Sequence, residues 1–337
     1  MSSTTSSEPS HTVDFSVKCV TATPGKYGNV PIDACNSYYN FDPQYVPALA
    51  VAVIFGILTI AHIAWAAVYK KWYCWVLIMG ALWETLAFTT HALGAHNQQS
   101  IAYATAHSLL YLLAPLWINA FAYMTFARLV YFYLPSQALA GGRIHATSLA
   151  KYFVIADVLS FIIQAAGGVM ASPGADPSTI KTGINIYMAG IGVQEAFVLC
   201  FVALMVVFHR AALRLEREGG ALGQERRWRA LLFALYAVLA MITVRIAYRI
   251  AEYGGGMKPS NPIPFHEAYA YALDAAPMMV AILILAVVHP GRTLVGPESE
   301  FPRLSWKEKK VIKLERKAVR KEAKRVKREG SGYYEEV

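Results

Sequence analysis

Long uncharged apolar runs alternate with short polar connections through most of the chain. A helix needs about 20 mainly apolar residues to cross the hydrocarbon core of a bilayer. Seven segments reach that length, at approximately 46–68, 73–93, 106–133, 150–170, 183–208, 229–250 and 268–288. They are continuous rather than alternating, and far longer than the strands of a membrane barrel, so they predict helices. The expected fold is all-α, a polytopic membrane protein of seven transmembrane helices. Its expected divisions are an N-terminal segment over 1–45, the membrane domain over 46–290 and a basic tail over 291–337. The third run is the longest and contains Pro115, which predicts a kink or a tilt there.

Charge then orients the bundle. The connection after the first run carries Lys70 and Lys71, the third Arg143 and Lys151, and the fifth Arg210, Arg214, Arg217, Arg226, Arg227 and Arg229. The alternate connections hold only Lys181 and Lys258, and the N-terminal segment only Lys18 and Lys26. Lysine and arginine concentrate on the cytoplasmic side of a membrane, so the N-terminus is expected outside and the C-terminus in the cytoplasm. Trp72, Tyr73 and Trp75 sit at the interfacial level that aromatic residues favour.

Composition agrees. Charged residues make up 16% of the chain, against about 25% in soluble domains, and mean hydropathy is +0.36. The net charge of +9 is concentrated in one internal loop and the tail. It follows topology, and no nucleic-acid role is expected. The start, MSSTTSSEPS, lacks the charged-then-apolar pattern of a cleavable signal peptide. Cys19 and Cys35 both fall in the segment expected outside, where they form either a disulfide or two separate thiols. In the tail, Trp306 to Arg328 places Val311, Leu314 and Ala318 at helical spacing among many basic residues. This stretch reads either as an amphipathic helix on anionic inner-leaflet lipids or as a solvated tail.

Function is sought where the chain accepts an expense. A charge at the centre of a bilayer costs roughly 2.5–3.5 kcal/mol on insertion scales. Glu84 lies mid-depth in the second run, Arg128 and Asp157 toward the inner ends of the third and fourth, and Glu195 beside Gln194 in the fifth. Arg245, Arg249 and Glu252 occupy i, i+4 and i+7 on one face of the sixth. Glu267 and Asp274 lie in the outer half of the seventh. Arg128 and Asp157 are expected to form a structural ion pair. The outer set forms either a salt-bridge network tying helices two, six and seven or the wall of a polar cavity for an amphiphile's head. Acids would suit an amine head, and the arginines a phosphate or carboxylate. Pro115 and Pro277 break backbone bonds, which is tolerated where the backbone is buried or lines a cavity. Gly167, Gly168, Gly183, Gly190 and Gly192 permit close helix approach. His91, His107 and His266 share the outer level without the spacing of a zinc motif, so no metal, cofactor or hydrolase activity is expected. There is no phosphate-binding loop for ATP.

From about Tyr39 to Pro290 the chain resembles the fungal lipid-translocating exporter family, the resistance-to-aminocholesterol-like (RTA-like) membrane proteins. The residues that carry the likeness are Ala114, Pro115, Tyr123 and Arg128 in LLAPLWINAFAYMTFARLV, and Asp157, Gln164, Gly167 and Gly168 in DVLSFIIQAAGG. Gly183, Gly190 and Gln194 follow in the fifth run, then RIAYRIAEYGGG, HEAYAYALDAAPMM and HPG, with Arg245, Arg249, Glu252, Glu267, Tyr271, Asp274 and Met278. The second run departs from the family pattern of Glu, then Gly-Tyr, then Arg. Here Glu84 is followed by Ala87-Phe88, with His91 at the basic position. The resemblance implies a multi-pass protein of the plasma membrane, or of the vacuolar or endoplasmic reticulum membrane, that translocates sphingoid long-chain base-type lipids and confers resistance to toxic amphiphiles. Its partners would be membrane lipids or amphiphilic small molecules. Glu84, His91, Arg245, Arg249, Glu252, Glu267, Tyr271 and Asp274 would bind substrate. Pro115, Tyr123, Arg128, Asp157, Gln164, Gln194 and Pro277 would be structural or gating residues. A seven-helix lipid sensor without transport is the alternative, although the third run lacks an Asp-Arg-Tyr end and the seventh lacks Asn-Pro-x-x-Tyr.

Overall fold

The structure, a computed structural model, describes residues 20–32, 34, 36–140, 142–171, 176–218, 227–255 and 261–302. Cys19, Cys35 and the amphipathic stretch of the tail lie outside them. Six long helices come first: α1 Tyr45–Tyr69, α2 Trp75–Ala95, α3 Ile101–Tyr133, α4 Ala146–Met170, α5 Pro177–Arg217 and α6 Arg227–Gly254. The seventh span is built of α7 Glu267–Ala270, a π turn Tyr271–Ala275 and α8 Ala276–Val287. Among the described residues, seven helical spans are long and apolar enough to cross a membrane.

Each helix packs on the next, and α8 closes the ring on both α6 and α1. α3 reaches across the ring to α6. α1 and the seventh span run parallel, because their partners keep one offset along their length. Gln44 N donates to Glu267 Oε2 223 residues away, His62 Nε2 meets Ile282 O 220 away, and Arg292 Nε donates to Tyr69 O–H 223 away. The core is apolar and aromatic, with Phe55, Phe121, Phe126, Phe201, Phe208 and Trp228 fully buried. Outward-facing positions are equally apolar: Val46, Val53, Ile57 and Ile60 on α1, and Ile155, Leu159, Ile162 and Val169 on α4, are exposed. A belt of that kind would aggregate in water and matches hydrocarbon. The chain is a multi-pass membrane protein.

Some features lie outside the sequence reading. α5 extends beyond the expected 183–208, and at its far end Glu216 holds Arg229 of α6 at 2.6 Å. A two-residue ladder, Ala138–Leu139 with Ile144–His145, closes the third connection. Residues of the N-terminal segment cover the Tyr45 end of the bundle. Gln98 N donates to Tyr27 O at 2.9 Å, Gln98 Nε2 to Asp42 at 2.8 Å, and His96 is sandwiched between Tyr27 and Tyr45. At the opposite end His289 Nδ1 accepts from Gly291 N at 3.1 Å and so shapes the HPG corner. A side chain at Gly291 would strike Tyr69, which explains the glycine.

Candidate functional site

The site begins with a missing hydrogen bond. Pro115 has no N–H, so the carbonyl four residues earlier, that of Tyr111, loses its helical partner. In hydrocarbon that carbonyl needs another donor. Arg245 supplies it, with Nη2 3.1 Å from Tyr111 O. The Tyr111 ring lies 5.4 and 5.0 Å from the Arg245 and Arg249 guanidinium groups. Tyr111 was not singled out from the sequence, although its place four residues before Pro115 is a legible signal.

A second proline shapes the opposite wall. The ring of Pro277 excludes the normal helical contact with the carbonyl four residues back, and the turn just before it widens into the π segment. Asp274 sits in that turn, fully buried. Its Oδ1 meets Arg245 Nε, and its Oδ2 lies 2.7 Å from Arg249 Nε. These contacts are ionic, since neither Asp274 oxygen receives an aligned N–H. Arg249 Nη1 also donates to Glu252 Oε2 at 3.0 Å. One aspartate thus joins two arginines one helical turn apart, and the network ties the sixth span to the seventh.

Glu84 of α2 lies within electrostatic reach of Arg245, Asp274 and Arg249. It is fully buried, and neither carboxyl oxygen has a hydrogen-bond partner among the described residues. Glu267 stands apart from the arginine cluster. Its Oε1 takes Tyr271 O–H at 2.7 Å and His91 Nε2 at 2.6 Å, and its Oε2 takes the backbone of Gln44. His91 stacks on His107, with centroids 4.2 Å apart, and His107 Nδ1 meets Ala87 O at 2.9 Å. His266 packs on Tyr269 instead. The candidate substrate-binding residues therefore divide into an arginine–aspartate cluster and a histidine–glutamate clasp under the N-terminal segment.

Arg128 and Asp157 do not form the expected ion pair. Asp157 Oδ2 accepts from Asn119 Nδ2 at 2.9 Å and from Tyr123 O–H at 3.0 Å. Arg128 donates to Met124 O in its own helix and lies over the Tyr73 ring at 3.8 Å. The physical reason is facing: Asp157 points at the α3 residues Asn119 and Tyr123, more than one turn before Arg128, whose guanidinium lies over Tyr73 just ahead of α2. Glu195 accepts from Thr243 at 3.2 Å.

A cleft opens between α3, α4, α5 and α6, with about 490 Å³ of free space including its mouth. Arg245 and Arg249 form one wall, and Pro115, Asn119, Gln164, Tyr187 and Gln194 contribute to the others. Gln164 Nε2 donates to Gln194 Oε1 at 2.9 Å. The pair meets because α4 and α5 touch backbone to backbone. A side chain at Gly183 would come within 2.7 Å of backbone atoms of α4, and one at Gly190 within 2.7 Å of Gln164. Gly168 and Gly192 face open space. The cleft thus lies on the α3–α6 side of the arginines, and on their other side Asp274 ties the sixth span to the seventh.

The chain matches the family described as RTA1 like protein over residues 77–296. It is 44% identical, over 86% of its own length and 77% of the relative's, to a protein of Emericella nidulans named probable lipid transporter atnI. A Saccharomyces cerevisiae protein named protoporphyrin uptake protein 1 is 31% identical over 62% of this chain and 65% of its own. The sphingoid long-chain base transporter RSB1 of the same species is 24% identical over 75% and 73%. No solved structure matches.

Proposed function

The chain belongs to the RTA1-like family of fungal membrane proteins, and from that premise we propose that it translocates lipids or lipid-like amphiphiles across the membrane it spans. The carrying observation is the cleft, which brings two arginines of a membrane span to the edge of a space lined otherwise by apolar and amide groups and the Tyr187 ring. An arginine inside the membrane is by default a mark of a substrate path. The names of the relatives, a lipid transporter and a sphingoid long-chain base transporter, support a single-chain lipid as the cargo. Resistance to toxic amphiphiles follows if the cargo is moved out of the cytoplasmic leaflet. The lysine and arginine distribution supports the Tyr45 end facing outside, in a plasma membrane.

In this reading Arg245 and Arg249 hold the head group. Asp274 keeps both guanidinium groups in place, and Glu84 lies beneath them. Pro115 gives the third span a local break at which one wall of the cleft moves, and Pro277 gives the seventh the widened turn that presents Asp274 to both arginines. The enclosed part of the cleft is small, so passage of a head group requires that movement. The histidine–glutamate clasp and the Asn119–Tyr123–Asp157 cluster hold the two ends of the path.

The test is flux of a fluorescent long-chain lipid across vesicles holding the full-length protein. Wild type is compared with Arg245→Ala and Asp274→Asn, each shown to be folded by its melting curve. Flux in wild type that falls at least about tenfold in both variants supports translocation. Binding with no flux, under any ion gradient, replaces it with a sensor.

A further inference from the structure

We infer that the cleft selects an amphiphile whose head is an oxyanion, a phosphate or a carboxylate, over one whose head is an amine. The inference rests on the proposed lipid role of the cleft and assigns the chemistry of its cargo.

Donor accounting carries the argument. A guanidinium has five N–H groups. Arg245 commits Nε to Asp274 and one Nη2 hydrogen to Tyr111 O. Arg249 faces Asp274 with Nε through charge alone and donates one Nη1 hydrogen to Glu252. The other three N–H groups of each arginine have no partner among the described residues. Both side chains line the cleft and keep a little exposure, 7% for Arg245 and 14% for Arg249. The uncommitted edges are therefore available to an acceptor entering there. Two guanidinium groups one turn apart suit a head with two or three acceptor oxygens.

The acids are arranged the other way. None of the described residues lining the cleft is acidic. Asp274 and Glu84 are fully buried, and Asp274 lies on the far side of the guanidinium groups. An ammonium head entering the cleft would meet the two guanidinium charges among lining side chains that carry no carboxylate, while the nearby Glu252 is held by Arg249 at 3.0 Å. Juxtaposed like charges in a low-dielectric setting are a strong discriminator. The amides of Asn119, Gln164 and Gln194 accept or donate and suit hydroxyl groups beside either head.

The measurement is equilibrium binding to the full-length protein in neutral phosphatidylcholine nanodiscs. Three probes of equal chain length are used: a long-chain base, its 1-phosphate and a fatty acid, each corrected for partition into empty discs. The phosphate or the carboxylate is expected to bind at least about tenfold more tightly than the amine, and the better of the two identifies the oxyanion. Gln194→Glu keeps the acceptor for Gln164 and adds a negative charge to the cleft wall. It is expected to weaken the anionic probe about tenfold and leave the amine unweakened. Equal or tighter binding of the amine by wild type overturns the inference, as does an anionic probe that a folded Gln194→Glu variant binds no more weakly than wild type does. Flux of the same probes separates the two claims. An anion that binds without crossing leaves the head-group assignment standing and removes translocation. An amine that crosses as readily as the anions keeps translocation and removes the assignment.

Discussion

Arg245, Arg249 and Asp274 form a unit that no one of them can leave alone. Removing one partner of a buried ion pair leaves a charge uncompensated and costs about 3–5 kcal/mol, whereas replacing the pair with apolar groups is often neutral. Arg245→Ala also strips the Tyr111 carbonyl of the donor that reaches it from outside its helix. Either Arg245→Ala or Asp274→Asn is therefore expected to lower the melting temperature markedly in detergent. The triple variant Arg245→Met, Arg249→Met, Asp274→Leu should regain most of the loss while carrying no lipid. A triple variant less stable than the single ones would show that the cluster is not a self-contained unit. The positions of these charges were legible in the sequence, because charges stand out in apolar runs. Their partners were not. The i, i+4 spacing puts both arginines on one face, but which neighbour meets that face depends on how the ring of helices closes. The same gap explains Arg128 and Asp157. Equal depth suggested a pair, and the rotation of each helix about its axis gave Asp157 to Asn119 and Tyr123 instead.

At the scale of single elements, the two prolines do different work. Pro115 frees a carbonyl that an arginine then takes, and Pro277 follows a π turn that presents Asp274. Proline in a helix interior costs about 3 kcal/mol or more, so each position invites a simple test. Pro115→Ala returns an N–H to the Tyr111 carbonyl. It is expected to leave the melting temperature unchanged or raised and to reduce flux severalfold, because Arg245 then shares its anchor. Unchanged flux would separate the kink from the transport path. The sequence marks both prolines as breaks but does not show what fills them, since the donor at the Pro115 break comes from 134 residues further along the chain and the arginines at the Pro277 turn from a different span. Helix existence was readable from apolar length alone. The extension of α5, the small ladder at 138–145 and the cover formed by the N-terminal segment were not. Those features depend on polar contacts between segments far apart in the chain.

At the scale of the whole molecule, a ring of seven spans closes by parallel packing of the first on the last, and a cationic cleft lies between its third and sixth members. The charge bias along the chain predicts the direction in which this ring sits. A cysteine at exposed Tyr38 should react with an impermeant reagent on intact cells, and one at exposed Arg217 only after permeabilisation. The reverse pattern would invert the topology. The central claim, that the cleft holds the lipid, is tested most directly by photolabelling. A long-chain lipid with a diazirine in its chain would be crosslinked to the protein in membranes, and the labelled residues read by mass spectrometry. Label is expected on Leu112, Phe161, Ile191 and Ile242, which line the cleft, and should be competed away by unlabelled lipid. Label confined to the outward belt, on residues such as Ile57, Ile60 and Leu159, and insensitive to competition would contradict it.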